Sequence, residues 1–163
     1  MIQGNPYEFA IIIKKIEEWN IDNTFCNGIL LFCIDGYIYP SKICTSTLKS
    51  EIGPLTKKLK NIPVNNHLFN MKKDLAFFHI YKMIFPEDYM LSNDYQFDIT
   101  PLSFADENCF IFAVSNSTHV RILGAELKYI KEKSQHDLEN LHIKEAFIST
   151  EKLTAIANCL ELG

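Results

Sequence analysis

The sequence predicts an α+β fold, a mainly antiparallel sheet built from hairpins with helices packed on it. Three observations carry that prediction. Two apolar runs flank Asp35-Gly36 in "NGILLFCIDGYIYP" (27–40), and two more flank a short polar turn in residues 108–127. Stretches with apolar residues at helical spacing lie between these hairpins and at the end of the chain. At 163 residues the chain is long enough for one domain with its own core. No repeat, low-complexity tract or Gly/Ser/Pro linker divides it, so residues 1–163 are read as a single domain.

In chain order, "YEFAIIIKKIEEW" (7–19) is rich in Ile and Phe and directly precedes a hairpin, which favours a strand. A helical face through Ile13, Ile16 and Glu17 is the competing reading. Trp19, the one tryptophan, is expected to pack against the sheet, since Trp is highly buried on average. In the hairpin, Asp-Gly suits a type I′ turn, where both central residues need φ > 0. Ile29, Leu31 and Cys33 fill one face and Leu30, Phe32 and Ile34 the other, so both faces are expected to be covered.

"STLKSEIGPLTKKLKN" (46–61) carries a helical stripe of Leu48, Ile52, Leu55 and Leu59. Gly53-Pro54 falls in its middle, where proline is poorly tolerated, so a break or restart is expected there. Residues 65–85 read as the strongest helix, with an Asn cap, a stripe of Leu68, Met71, Leu75, Phe78 and Lys82, and Pro86 as its stop. An acidic loop (87–98) follows. "NCFIFAVS" (108–115) and "HVRILGAEL" (119–127) then flank Asn116-Ser117-Thr118 as a second hairpin. Those three residues match a glycosylation sequon, but without a secretory signal they read as turn chemistry. "IKEAFIS" (143–149) is a strand, and residues 150–163 form a closing helix with Leu153, Ile156, Ala157 and Leu160 on one face and Gly163 just past its end.

Hydrophobic residues make up 47% of the chain and charged ones 22%, the balance of an ordinary globular protein. The start lacks the pattern of a signal peptide, and no apolar run approaches the roughly 18 residues of a membrane span. Five cysteines, an odd number set mostly among apolar neighbours, favour packed, reduced thiols and a cytoplasmic location. The net charge of −4 is unevenly spread: residues 1–40, 41–82, 83–127 and 128–163 carry −3, +6, −6 and −1. Fifteen of the sixteen basic residues are Lys, with Arg121 alone. Nucleic-acid sites draw on Arg for bidentate contacts, so direct nucleic-acid binding is not expected, and the Lys-rich stretch reads as solvated helix faces.

Signatures of catalysis are missing from the sequence. Neither Cys-x-x-Cys nor His-Glu-x-x-His occurs, and the spacing of His136 from His142 and of Cys26 from Cys33 is looser than zinc sites use. There is no nucleophile elbow, Walker loop or dinucleotide fingerprint. A Cys109–His119 pair across the second hairpin reads better as a buried thiol beside an exposed imidazole. An enzyme, a metal site and a cofactor are therefore not expected. What remains is surface: residues 87–107 mix Glu87, Asp88, Asp94, Asp98, Asp106 and Glu107 with Tyr89, Tyr95, Phe97 and Phe104. Carboxylates speed encounter with a basic partner while aromatics anchor it. The competing reading is a solvated loop whose aromatics fold back onto the core.

"GNPYEFAI", then "EEWN", then "FCNGILLFCIDGYIYP" resemble the start of a family of bacterial immunity proteins, immunity family 42. The matching positions are Gly4, Pro6, Tyr7, Phe9, Ala10, Glu17, Trp19, Asn27, Gly28, Ile34, Gly36, Ile38, Tyr39 and Pro40, about the first quarter of the chain. The resemblance implies a cytoplasmic protein of the contact-dependent growth inhibition type that binds the C-terminal domain of a cognate toxin and neutralises it. If that toxin is a nuclease, Glu87, Asp88, Asp94, Tyr95, Asp98, Asp106 and Glu107 are the expected contacts, acting as a mimic of a polyanionic substrate. A nucleic-acid-binding or small ligand-binding domain is the alternative.

Overall fold

The computed structural model describes residues 1–22 and 24–161. The first hairpin unit comprises β1 (Ile2–Asn5), β2 (Phe9–Lys15), a 3₁₀ turn (Glu17–Trp19), β3 (Asn27–Ile34), β4 (Tyr37–Tyr39) and β5 (Ser46–Thr47). Helices α1 (Leu48–Lys60), α2 (Asn66–Asn70), α3 (Lys73–Ile84) and α4 (Leu102–Asp106) follow. Strands β6 (Cys109–Ser115) and β7 (His119–Glu126), a ribbon of β8 (Tyr129–Ile130) and β9 (Gln135–His136), strand β10 (Lys144–Ser149) and helix α5 (Thr150–Glu161) complete the order. The predicted α+β architecture, antiparallel and hairpin-built, is what the chain adopts.

Sheet one has the order β1-β2-β3-β4, with β5 on the start of β3; sheet two has the order β10-β7-β6. Asp35 and Gly36 close the first hairpin at φ 50° and 77°, both positive as a type I′ turn requires. One core lies between the sheets and is closed at the side by α1 and α5. It joins Phe9, Ile11, Leu30, Phe32 and Ile34 of sheet one to Ile111, Ile122 and Ile148 of sheet two. A second core covers the far face of sheet two, where Phe110, Phe112, Val114 and Leu123 meet Phe77, Ile80, Tyr81 and Ile84 of α3. Sheet two is thus the central layer.

This layering corrects several expectations. The strands buried on both faces are β6, where all seven residues are buried, and the middle of β7, rather than β3. On β3 the inward Leu30, Phe32 and Ile34 are fully buried, whereas Ile29 and Leu31 are half-buried and the neighbouring Ile38 is exposed. Core-forming elements pack mainly on one side of sheet one, so its outer face is covered only in part: Cys33 and its cross-strand partner Ala10 are buried there, whereas Ile29, Leu31 and Ile38 keep partial exposure. Trp19 does not pack on the sheet: it sits in the 3₁₀ turn beyond β2 and is 41% exposed.

The stretch 65–85 is two helices. Asn65 caps α2, its side-chain oxygen accepting from Leu68 N at 3.0 Å. Met71 and Lys72 then run extended before α3 begins. That interruption resets the helical phase, so the stripe counted from Leu68 is not the buried one. Leu75 and Phe78 face outward, and Ala76, Phe77, Ile80, Tyr81 and Ile84 face the core. Conversely, α1 runs through Gly53-Pro54 without ending. Ser50, Gly53 and Pro54 all lie on its exposed side, so water can take the Ser50 carbonyl that Pro54 leaves unbonded, while Leu48, Leu55 and Leu59 anchor the opposite side. The buried positions predicted for α5 (Leu153, Ile156, Ala157, Leu160) are the ones observed. Gly163 lies outside the described residues.

The two sheets pack tightly against each other at Gly124. A Cβ there would stand 2.7 Å from Ile34 Cδ1, 3.1 Å from Ile111 Cδ1 and 3.3 Å from Tyr39 Cε2. Gly124→Val is expected to wedge the sheets apart at a cost of about 1–3 kcal/mol, read from urea unfolding, with Gly124→Ala costing less because Ile side-chain ends can shift.

Candidate functional site

The acidic segment begins where α3 stops. Phe85 N still donates to Tyr81 O at 2.8 Å, and Pro86 cannot continue the helix. The chain then loops outward and is pinned back onto the last turn of α3. Asn93 Nδ2 donates to Ile84 O at 2.7 Å, and Asp94 N donates to Met83 O at 2.8 Å. Two α3 carbonyls that the helix itself leaves unbonded are satisfied in this way. Asp88 and Asp94 organise the loop from within: Asp88 Oδ1 accepts from Met90 N at 2.9 Å, and Asp94 accepts from Gln96 N and Gln96 Nε2 at 3.0 and 2.7 Å.

The tip of this loop is apolar and exposed. Tyr89 is 91% exposed, Met90 79%, Leu91 60% and Tyr95 53%. Glu87 and Asp88 are exposed beside them, and Glu87 pairs with Lys82, which holds the Glu87 carboxyl below its ordinary range. Phe97 and Phe104 turn inward to the cores, so two of the four aromatics predicted for the surface belong to it and two do not.

The six carboxylates are not brought together as one patch. Glu87, Asp88 and Asp94 cluster at the end of α3. Asp98 is half-buried against the edge of β6, and its Oδ1 accepts from Thr100 N at 2.9 Å. Asp106 and Glu107 end α4 on the side toward sheet one: the Cys44 thiol is pushed up first by burial and then by Glu107, Glu51 and Asp106. Sequence reasoning overlooked Met90 and Leu91 as surface groups, although three large residues in a row, "YML", in an acidic loop were a usable signal.

Other sequence candidates separate. Cys109 pairs with Glu126 at one end of the second hairpin and His119 faces Ser149 at the other, so they form no dyad. Cys109 is fully buried, which pushes its thiol up and away from reactivity. Among the described residues, no group of three or more His, Cys, Asp or Glu is placed to share a metal ion. His136 instead donates from Nε2 to Asn108 Oδ1 (2.9 Å), and its Nδ1 lies 2.6 Å from the Tyr81 hydroxyl, from which the neutral ring accepts.

Burial lowers the His136 pKa below its ordinary 6.5. The unfolded chain therefore takes up this proton first as pH falls. The associated stability is complete above about pH 6.5 and declines as pH drops from there toward the folded value. His136→Gln is expected to flatten that part of the profile in urea unfolding between pH 7.5 and 5; an unchanged slope would assign it to other groups.

The family described as Immunity protein 42 has a sequence profile that matches residues 1–161. No curated protein sequence matches significantly. Among solved structures, the fold is similar to that of CdiI from Burkholderia dolosa AUO158, with a TM-score of 0.77 over 99% of each chain at 22% identity. No helix among the described residues is long and apolar enough to cross a membrane.

Proposed function

The chain belongs to the Immunity protein 42 family, and from that premise we propose that it neutralises the C-terminal domain of its cognate toxin by docking the tip of the 85–95 loop onto it. The protein acts by binding, inside the cell that makes the toxin, and needs no cofactor. The observation that carries the reading is the exposure of Tyr89, Met90, Leu91 and Tyr95 beside Glu87, Asp88 and Asp94. Large apolar groups held in water at one tip mark a contact surface, and flanking carboxylates suit a basic partner. A nuclease toxin presents such a basic surface around its substrate site, and the carboxylates would occupy it in place of phosphates. Asp106 and Glu107, which face sheet one at the end of α4, and Asp98, committed to its own turn, lie apart from this tip and contribute least.

Calorimetry with the toxin domain encoded beside the gene tests this. A one-to-one complex at nanomolar affinity, about −12 kcal/mol, is the expected result. Tyr89→Ala is expected to weaken it at least tenfold, mainly through faster dissociation. Glu87→Gln with Asp88→Asn and Asp94→Asn is expected to slow association at low salt and to lose that effect at high salt. Unchanged affinity and rates in both variants would place the interface elsewhere.

A further inference from the structure

Beside the loop lies a cleft of about 580 Å³ whose residues come from the end of α3 and from the β8–β9 ribbon. The His136 ring is part of its lining. Phe85 and Tyr129, 39% and 45% exposed, stand beside that ring with centroids 6.1 and 5.4 Å away. Tyr81, itself buried, is hydrogen-bonded to His136. Three carboxylates from two segments line the cleft: Glu87 after α3, and Asp137 and Glu139 after β9. Of its two ammonium groups, Lys82 is committed to Glu87 and lies 5.3 Å over the Phe78 ring, which leaves Lys133.

We propose that this cleft is a socket for one arginine side chain of the toxin, stacked on Phe85 and Tyr129 and paired with Asp137 and Glu139. The inference rests on the proposed docking of the 85–95 loop, with which the cleft shares Phe85 and Glu87. Planar aromatic walls favour a guanidinium over an ammonium, because it stacks as well as carrying charge. The carboxylates favour it over an anion or an aliphatic group, and its fork bonds them through several N–H groups. His136, whose burial favours the neutral ring, adds no opposing charge near neutral pH.

The test is the dissociation constant of the toxin complex for Asp137→Asn with Glu139→Gln, and separately for Tyr129→Leu. Asn at 137 keeps the Oδ1 acceptor that receives Glu139 N, so the local turn is retained. Each variant is expected to bind 10- to 100-fold more weakly, and Lys133→Ala more tightly. Wild-type binding with unchanged affinity in the variants overturns the socket alone; no wild-type complex overturns the docking reading and removes the socket's occupant. If a variant loses thermal stability, titrating the wild-type protein with N-acetyl-arginine amide decides. Saturable shifts of the Tyr129 ring signals, not reproduced by the uncharged citrulline analogue, support the socket, and their absence overturns it.

Discussion

Arg121→Ala is expected to remove about 3–5 kcal/mol of stability, the cost of dismantling a buried charged group and its partners. Arg121 is 3% exposed on the far face of sheet two. Its Nε and Nη2 bond Glu145 Oε2 at 2.8 and 2.7 Å, and its Nη1 donates to the carbonyls of Leu68, Phe69 and Met71 at 3.2, 3.0 and 2.5 Å. Those carbonyls belong to the end of α2 and the extended step before α3, so one guanidinium replaces the hydrogen bonds that a continuous helix would have made. Arg121→Lys is expected to recover little, because one ammonium cannot serve both the carboxylate and the three carbonyls. Glu145→Gln should cost far less, since that side chain is 31% exposed and water can replace it. Urea unfolding of the three variants checks the order; equal losses for Arg121→Ala and Glu145→Gln would contradict it.

Phe77→Ala is expected to cost a similar amount, about 3–5 kcal/mol, through the cavity it leaves. Phe77 and Phe112 are both fully buried, with ring centroids 4.7 Å apart, at the centre of the second core. The first core, between the sheets, does not include α3. Loss of Phe77 should therefore loosen α3 before it loosens sheet one. Amide exchange is expected to accelerate in residues 73–84 more than in β2 and β3. Toxin affinity is expected to fall with it, in proportion to the fraction of molecules that hold α3 in place. Uniform acceleration across both regions would mean that the molecule opens as one unit.

The hairpins were legible because their signals are local: an Asp-Gly turn, alternating apolar residues and short polar connections. Which hairpin would be buried on both faces was not legible, because β3 and β6 are equally apolar and the difference lies in what packs on them from elsewhere in the chain. The division of 65–85 was hidden for a similar reason. Nothing in "NMKKD" marks a break strongly, and the side chain that satisfies the carbonyls freed there, Arg121, lies about fifty residues away. For the candidate site, the acidic and aromatic composition of 87–107 was plain. Its division into three separately facing groups follows from Asp98 pairing with β6 and from α4 turning the chain toward sheet one. The cleft at His136 was invisible, since Tyr81, Phe85, Tyr129 and His136 come together only when the β8–β9 ribbon lies against the end of α3.

The pinning of the 86–96 segment onto the last turn of α3 bears on the thermodynamics of recognition. A free surface loop loses conformational entropy when a partner immobilises it, at roughly 1–2 kcal/mol per residue for the backbone. Here Asn93, Asp94 and Asp88 have already restricted the chain during folding. Binding should then carry little ordering entropy, and its heat-capacity change should match the apolar area of the tip alone, with no added component from a segment that folds on contact.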